Sequence, residues 1–152
     1  MNLEEINRTV TFYKDDKRVE IDINPEEFQI RLDMLDGELC SIPKLMLSYG
    51  LIEAQIKAEV GHREANLEQG YSALDANIRA VPDPNVKLTE TKIKNSIIND
   101  PIYQGLAKSL AQSRANYSIM RWVMVALQQK SEALRALAYR ENALIKADAR
   151  IN

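Results

Sequence analysis

Hydrophobic positions recur at alternating spacings of three and four over two long stretches of this chain. In the second stretch, from Pro101 toward Arg150, the rhythm falls on Leu106, Leu110, Ser113, Tyr117, Met120, Met124, Leu127, Ser131, Leu134, Ala138 and Ile145, with Glu141 the one charged interruption. This spacing predicts a seam along one side of a helix. A continuous helix from Ile102 to Ala149 would be roughly 70 Å long, whereas a compact domain of this size is about 40 Å across. The helix is therefore expected either to bend back or to hide its seam against another helix, from this chain or from a second copy. Leu106, Leu110, Tyr117, Met120, Met124, Leu127 and Leu134 are the positions expected to form an oligomerisation seam.

The first stretch carries the same period at Leu45, Tyr49, Ile52, Ile56, Val60, Arg63, Leu67, Tyr71, Leu74 and Ile78, and stops before the turn-forming Pro82, Asp83, Pro84 and Asn85. Gly50, Gly61 and Gly70 interrupt it and mark bends or places where another backbone comes close. Between the long patterns, Thr89 caps a short helix over Glu90 to Ile98, and Asn99, Asp100 and Pro101 begin the terminal one. At the other end, Thr9 to Tyr13 and Val19 to Ile23 flank a polar cluster, and the second arm alternates apolar and charged residues, as one arm of a β-hairpin does. Asn24, Pro25 and Glu27 then predict a capped short helix with Phe28, Leu32 and Leu35 on its apolar side and Gly37 at its end, followed by a break at Cys40 to Pro43. The expected fold is mainly α: an elongated helical hairpin or bundle of two long helices plus short helices, with a small N-terminal β-hairpin. Residues 1–38 form the hairpin and short helix, and residues 39–152 the long helical and oligomerising part of one structural unit.

Composition agrees with this reading. Of 152 residues, 45% are hydrophobic, 28% charged and only 6% aromatic, and the common residues are helix formers. The single cysteine, Cys40, forms no internal disulfide, the N-terminus lacks a basic and then apolar leader, and no long uncharged apolar run appears. A cytoplasmic protein with no membrane span is expected. Charge divides the chain: residues 1–85 hold 9 Lys and Arg against 17 Asp and Glu, while residues 86–152 hold 11 against 5. Either the halves attract each other, within a chain or between subunits, or the basic half faces a polyanion.

Catalytic patterns are weak. The lone histidine, His62, has no second His or paired Cys to make a metal site, and no base is identified for Cys40. There is no phosphate-cradling glycine loop, no nucleophile elbow and no zinc-protease helix motif, so neither enzyme activity nor a cofactor is expected. The informative series is basic. Arg114, Arg121 and Arg135 share one heptad position beside the terminal seam, with Gln128 and Asn142 in the same row. That row is either a set of interhelical salt bridges to the acidic first long helix or a rail for phosphates, assisted by Lys92, Lys94, Lys108, Lys130, Arg140 and Lys146. On the second reading Trp122 and Tyr117 offer stacking platforms for bases if exposed.

Ile52 to Ala58 on the first long helix, Gly70 with Tyr71, the run Lys87 to Lys94, and Asp100 with Tyr103 ahead of a long terminal helix resemble the UvsY-type recombination mediators of tailed phages. The likeness covers about two thirds of the chain, from Ser41 onward. It implies a homo-oligomer forming a closed ring, which binds single-stranded DNA without sequence preference and contacts a recombinase and a single-strand-binding protein. Lys57, His62 and Arg63 match the family's basic DNA contact, although Glu59 and Glu64 interrupt the cluster and the N-terminal hairpin is an addition to the family pattern. The nucleic-acid-binding residues expected from both lines are Lys57, His62, Arg63, Lys92, Lys94, Arg114, Arg121 and Arg135.

Overall fold

A computed structural model describes residues 9–14, 17–80 and 89–148 of the chain. The protein is mainly helical with a small N-terminal sheet. Strand β1 (Thr9–Lys14) pairs antiparallel with β2 (Lys17–Asp22), setting Val10 opposite Ile21 and Phe12 opposite Val19. Val10 and Phe12 are fully covered, which supplies the apolar support that a two-stranded sheet lacks by itself. Thr9 Oγ1 donates to Asp22 Oδ1 at 2.7 Å and closes the open end of the ladder.

Two 3-10 turns follow, Pro25–Phe28 and Leu32–Met34. Asn24 caps the first as its sequence predicts: its side chain accepts from the Glu26 N–H at 3.0 Å, with Pro25 at the first position. The element is not the short α-helix expected there. The Glu27 carbonyl, which an α-helix would give to the Arg31 N–H, accepts instead from Lys130 Nζ at 2.9 Å, and Glu27 Oε2 accepts from the Tyr49 hydroxyl at 2.7 Å. Lys130 thus takes the backbone carbonyl that would propagate the helix, and the backbone turns extended at Gln29. Leu32, expected on an apolar side, is exposed.

Helix α1 (Leu35–Ala80) then runs without the expected break, carrying Gly37 and Pro43 inside it. Pro43 has no N–H for the Leu39 carbonyl one turn earlier, and the loss falls on the exposed side of the helix, where water can serve that group. Helix α2 (Glu90–Asn99) is capped by Thr89, whose hydroxyl accepts from the Lys92 N–H at 3.3 Å, and it buries Ile93 and Ile97. Helix α3 (Pro101–Asp148) starts on Asp100, whose Oδ1 accepts from the Ile102 N–H at 2.8 Å, and is one helix throughout. The expected turn at Pro82 to Asn85, together with residues 1–8 and 149–152, lies outside the described residues.

The chain divides into two compact units within the long helices: residues 1–55 with 118–152, and residues 56–117. In the first unit Ile42, Tyr49, Met120, Val123, Leu127 and Leu134 are buried; in the second, Ile56, Ile93, Ile97 and Leu110. From Leu110 to Leu134 the terminal seam is covered inside a single chain, with Leu106, Tyr117 and Met124 half-buried, whereas Ile145 at its far end is exposed. Acidic and basic halves meet within the chain through Glu38–Lys130 in the first unit and Glu64–Arg114 in the second. Arg79 makes a fork to Glu90 at 2.8 and 3.0 Å and reaches Asp75 at 2.9 Å, joining the end of α1 to the start of α2. That fork holds the Glu90 carboxyl below its usual range. Among the described residues no helix is long and apolar enough to cross a membrane.

Candidate nucleic-acid interface

In the first unit, burial of Met120, Val123, Leu127, Lys130 and Leu134 orients α3 and turns the opposite side of the helix outward. Arg121, Trp122, Arg135, Tyr139 and Arg140 all lie on that exposed side. Trp122 is 74% exposed and Tyr139 is 81% exposed, far more than rings of that size keep when packing is their purpose. At 3.6 residues per turn, Arg121 and Tyr139 fall on the same line about five turns apart, and so do Trp122 and Arg140. Each end of this surface therefore offers one cation beside one aromatic ring, and Arg135 stands one turn before Tyr139. Arg121, Arg135 and Arg140 have no carboxylate partner among the described residues. Glu132, the carboxylate between the two ends, accepts from Gln128 Nε2 at 3.2 Å.

Arg114, the first member of the predicted row, has a different fate. Its Nη2 donates to Glu64 Oε1 of α1 at 2.7 Å, so the row divides between the two readings offered for it: an interhelical ion pair in the second unit and free cations in the first. Lys130, expected to assist a phosphate rail, is corrected outright. Its side chain is 4% exposed and paired with Glu38, equally covered, because it lies on the buried side of α3. Tyr117 is half-buried, whereas Trp122 is open.

The basic cluster on α1 does not converge. Lys57 and His62 are exposed, but five residues apart they point about 140° from each other around the helix. Arg63 turns inward: its Nε donates to Glu59 Oε1 at 2.7 Å and its Nη1 donates to Ser109 Oγ, while Ser113 Oγ donates to the same Glu59 oxygen at 3.0 Å. Lys92 and Lys94 flank the buried Ile93 on α2 and are both exposed.

Sequence reasoning missed Tyr139. The available signal was an aromatic residue off the seam period, one turn after Arg135 and next to Arg140. Of the residues weighed for catalysis, His62 and the free thiol Cys40 are both exposed, and no cluster of three or more His, Cys, Asp or Glu suited to a metal ion occurs among the described residues. No protein-family model, characterised protein or solved structure matches the chain.

Proposed function

We propose that this chain binds single-stranded DNA without sequence preference through the outward side of α3, and serves without chemistry of its own as an accessory factor in recombination or replication. The observation that carries this reading is the exposure of Trp122 and Tyr139 beside arginines that no carboxylate neutralises among the described residues. Binders of single strands pair cations, which track the phosphates, with aromatic faces, which accept any base. On this reading Arg121, Arg135 and Arg140 neutralise phosphates, and Trp122 and Tyr139 carry bases. Lys92 and Lys94 of α2, and Lys57 and His62 of α1, are further exposed positive or polar groups. The resemblance to the UvsY-type mediators supports the same class, and with it a ring-forming homo-oligomer that works in the cytoplasm beside a recombinase and a single-strand-binding protein.

The direct test is fluorescence anisotropy of a labelled oligothymidylate over a range of salt. Three neutralised phosphates give a slope of about −2 in log affinity against log salt, from roughly 0.7 per phosphate on single strands. Trp122, the only tryptophan, should be quenched as the oligonucleotide saturates. No binding at low salt removes the proposal.

A second reading is favoured by a different observation. Leu47 and Leu51 on α1, and Leu144 and Ile145 on α3, are exposed apolar residues in the same unit, as on a structural or adaptor protein that assembles with itself or with a protein partner. It predicts a defined oligomer whose mass is unchanged by oligonucleotide. In that case replacing Arg121 and Arg135 disturbs assembly in place of DNA affinity.

A further inference from the structure

The second unit has a shallow, open groove of about 410 Å³ lined by Glu64, Leu67, Glu68, Tyr71, Tyr103, Leu110 and Arg114. Leu67 and Leu110 supply apolar lining. The Tyr71 and Tyr103 rings meet edge to face, centroids 6.1 Å apart and planes at 69°. Close approach of the helices beside it depends on Gly70: a Cβ there would stand 2.6 Å from Leu106 Cδ1. The charges along the groove are unequal. Arg114 is committed to Glu64 at 2.7 Å, and the exposed Glu68 carboxylate has no partner among the described residues. One negative charge is left over beside two electron-rich rings and an apolar lining.

We infer that this groove docks an arginine- or lysine-bearing segment of a protein partner. A basic side chain matches each part of it: the methylene stem lies along apolar surface while the charged head stays near water, the ring faces attract the cation, and Glu68 completes the ion pair. A nucleic-acid strand does not fit, because Glu64 and Glu68 repel phosphate and Arg114 is already paired. The groove belongs to the second unit, and the inference does not rest on DNA binding.

The test is titration of the full chain, followed by NMR, with a capped peptide of sequence Gly-Leu-Arg-Leu-Arg-Gly and with a control in which both arginines are glutamate. The basic peptide should shift the Tyr71 and Tyr103 ring resonances, and the acidic control should leave them in place. Glu68→Gln, at an exposed position that does not threaten folding, should weaken the basic peptide about two- to fivefold, the upper part of the range for an exposed ion pair. Arg114→Ala supplies a readout of opposite sign: it releases the Glu64 carboxylate, so affinity for the basic peptide should rise, provided the unchanged helical circular dichroism shows that the variant is folded. Unmoved tyrosine resonances, equal binding of the acidic control, or indifference to Glu68→Gln overturns the inference. So does saturation of the same resonances by raising protein concentration alone, which would make a second copy the occupant.

Discussion

Lys130 and Glu38 form an ion pair in which each side chain is only 4% exposed. Arg31 Nε completes the carboxylate from the other side at 3.1 Å, and Lys130 Nζ also donates to the Glu27 carbonyl at 2.9 Å. One ammonium thereby ties α3 to the start of α1 and to the 3-10 turn at Pro25–Phe28. A covered charge is tolerated only when it is matched, and here both charges are matched by residues far apart in sequence.

Removing one partner should therefore cost more than removing both. Lys130→Met leaves Glu38 charged under cover and takes the donor from Glu27. Breaking a buried pair costs about 3–5 kcal/mol, and since Arg31 still faces Glu38 the loss should be nearer the lower figure. The double variant Lys130→Met with Glu38→Leu should recover at least half of it. Urea denaturation of the two variants and the parent measures this, and equal losses in single and double variants would contradict it.

Acid should weaken the same link. The hydrogen bond from Lys130, followed by that from Arg31, holds the Glu38 carboxyl below its ordinary value of 4.5 against the opposing effect of burial. Between the folded and unfolded values the unfolded chain binds the extra proton, so this contribution is present above about pH 4.5 and is lost as pH falls through the folded value. The slope of unfolding free energy against pH below 4.5 should flatten in Glu38→Gln. Tyr49 moves the other way, its hydroxyl pushed above the ordinary tyrosine value by burial and by Glu27, so it remains a donor throughout that range.

Trp122→Ala should separate binding from folding. At an exposed position the change in stability should stay within about 0.5 kcal/mol, while loss of one stacked base should weaken single-strand affinity by about 1–3 kcal/mol, roughly 5- to 150-fold. Arg121→Ala should lower both the affinity and the salt slope, the latter by about 0.7. Anisotropy titrations at several salt concentrations, with thermal melts of each variant, check both.

Two glycines of α1 should answer the same substitution differently. Nothing lies within 4 Å of a Cβ placed on Gly61, so Gly61→Ala should stabilise the chain by about 1 kcal/mol through helix propensity alone. A Cβ on Gly70 would stand 2.6 Å from Leu106 Cδ1. Leu106 must then move, at a cost of about 1–3 kcal/mol, which cancels or exceeds the propensity gain. Melting temperatures of the two variants should differ by several degrees, with Gly61→Ala the higher.

What the amino-acid sequence determined by itself was local and periodic. The three-and-four rhythm placed Tyr49, Ile56, Leu110, Met120, Leu127 and Leu134 in the interior because a helix puts such positions on one side. Asn24, Thr89 and Asp100 marked element starts because a short polar side chain reaches an N–H two or three residues ahead. Alternation in the first 23 residues marked the hairpin for the same kind of reason. Tertiary structure decided what depends on residues distant in the chain. Phe28 and Leu35 did not become one helix, because Lys130 claimed the backbone carbonyl of Glu27. Four cations that look alike in sequence parted company: Arg114 met Glu64, Lys130 met Glu38, and Arg121 and Arg135 met no carboxylate among the described residues. Periodicity tells a helix which side is apolar, but whether an arginine is neutralised, or a tryptophan beside it left open, depends on where another segment brings its carboxylates and its bulk.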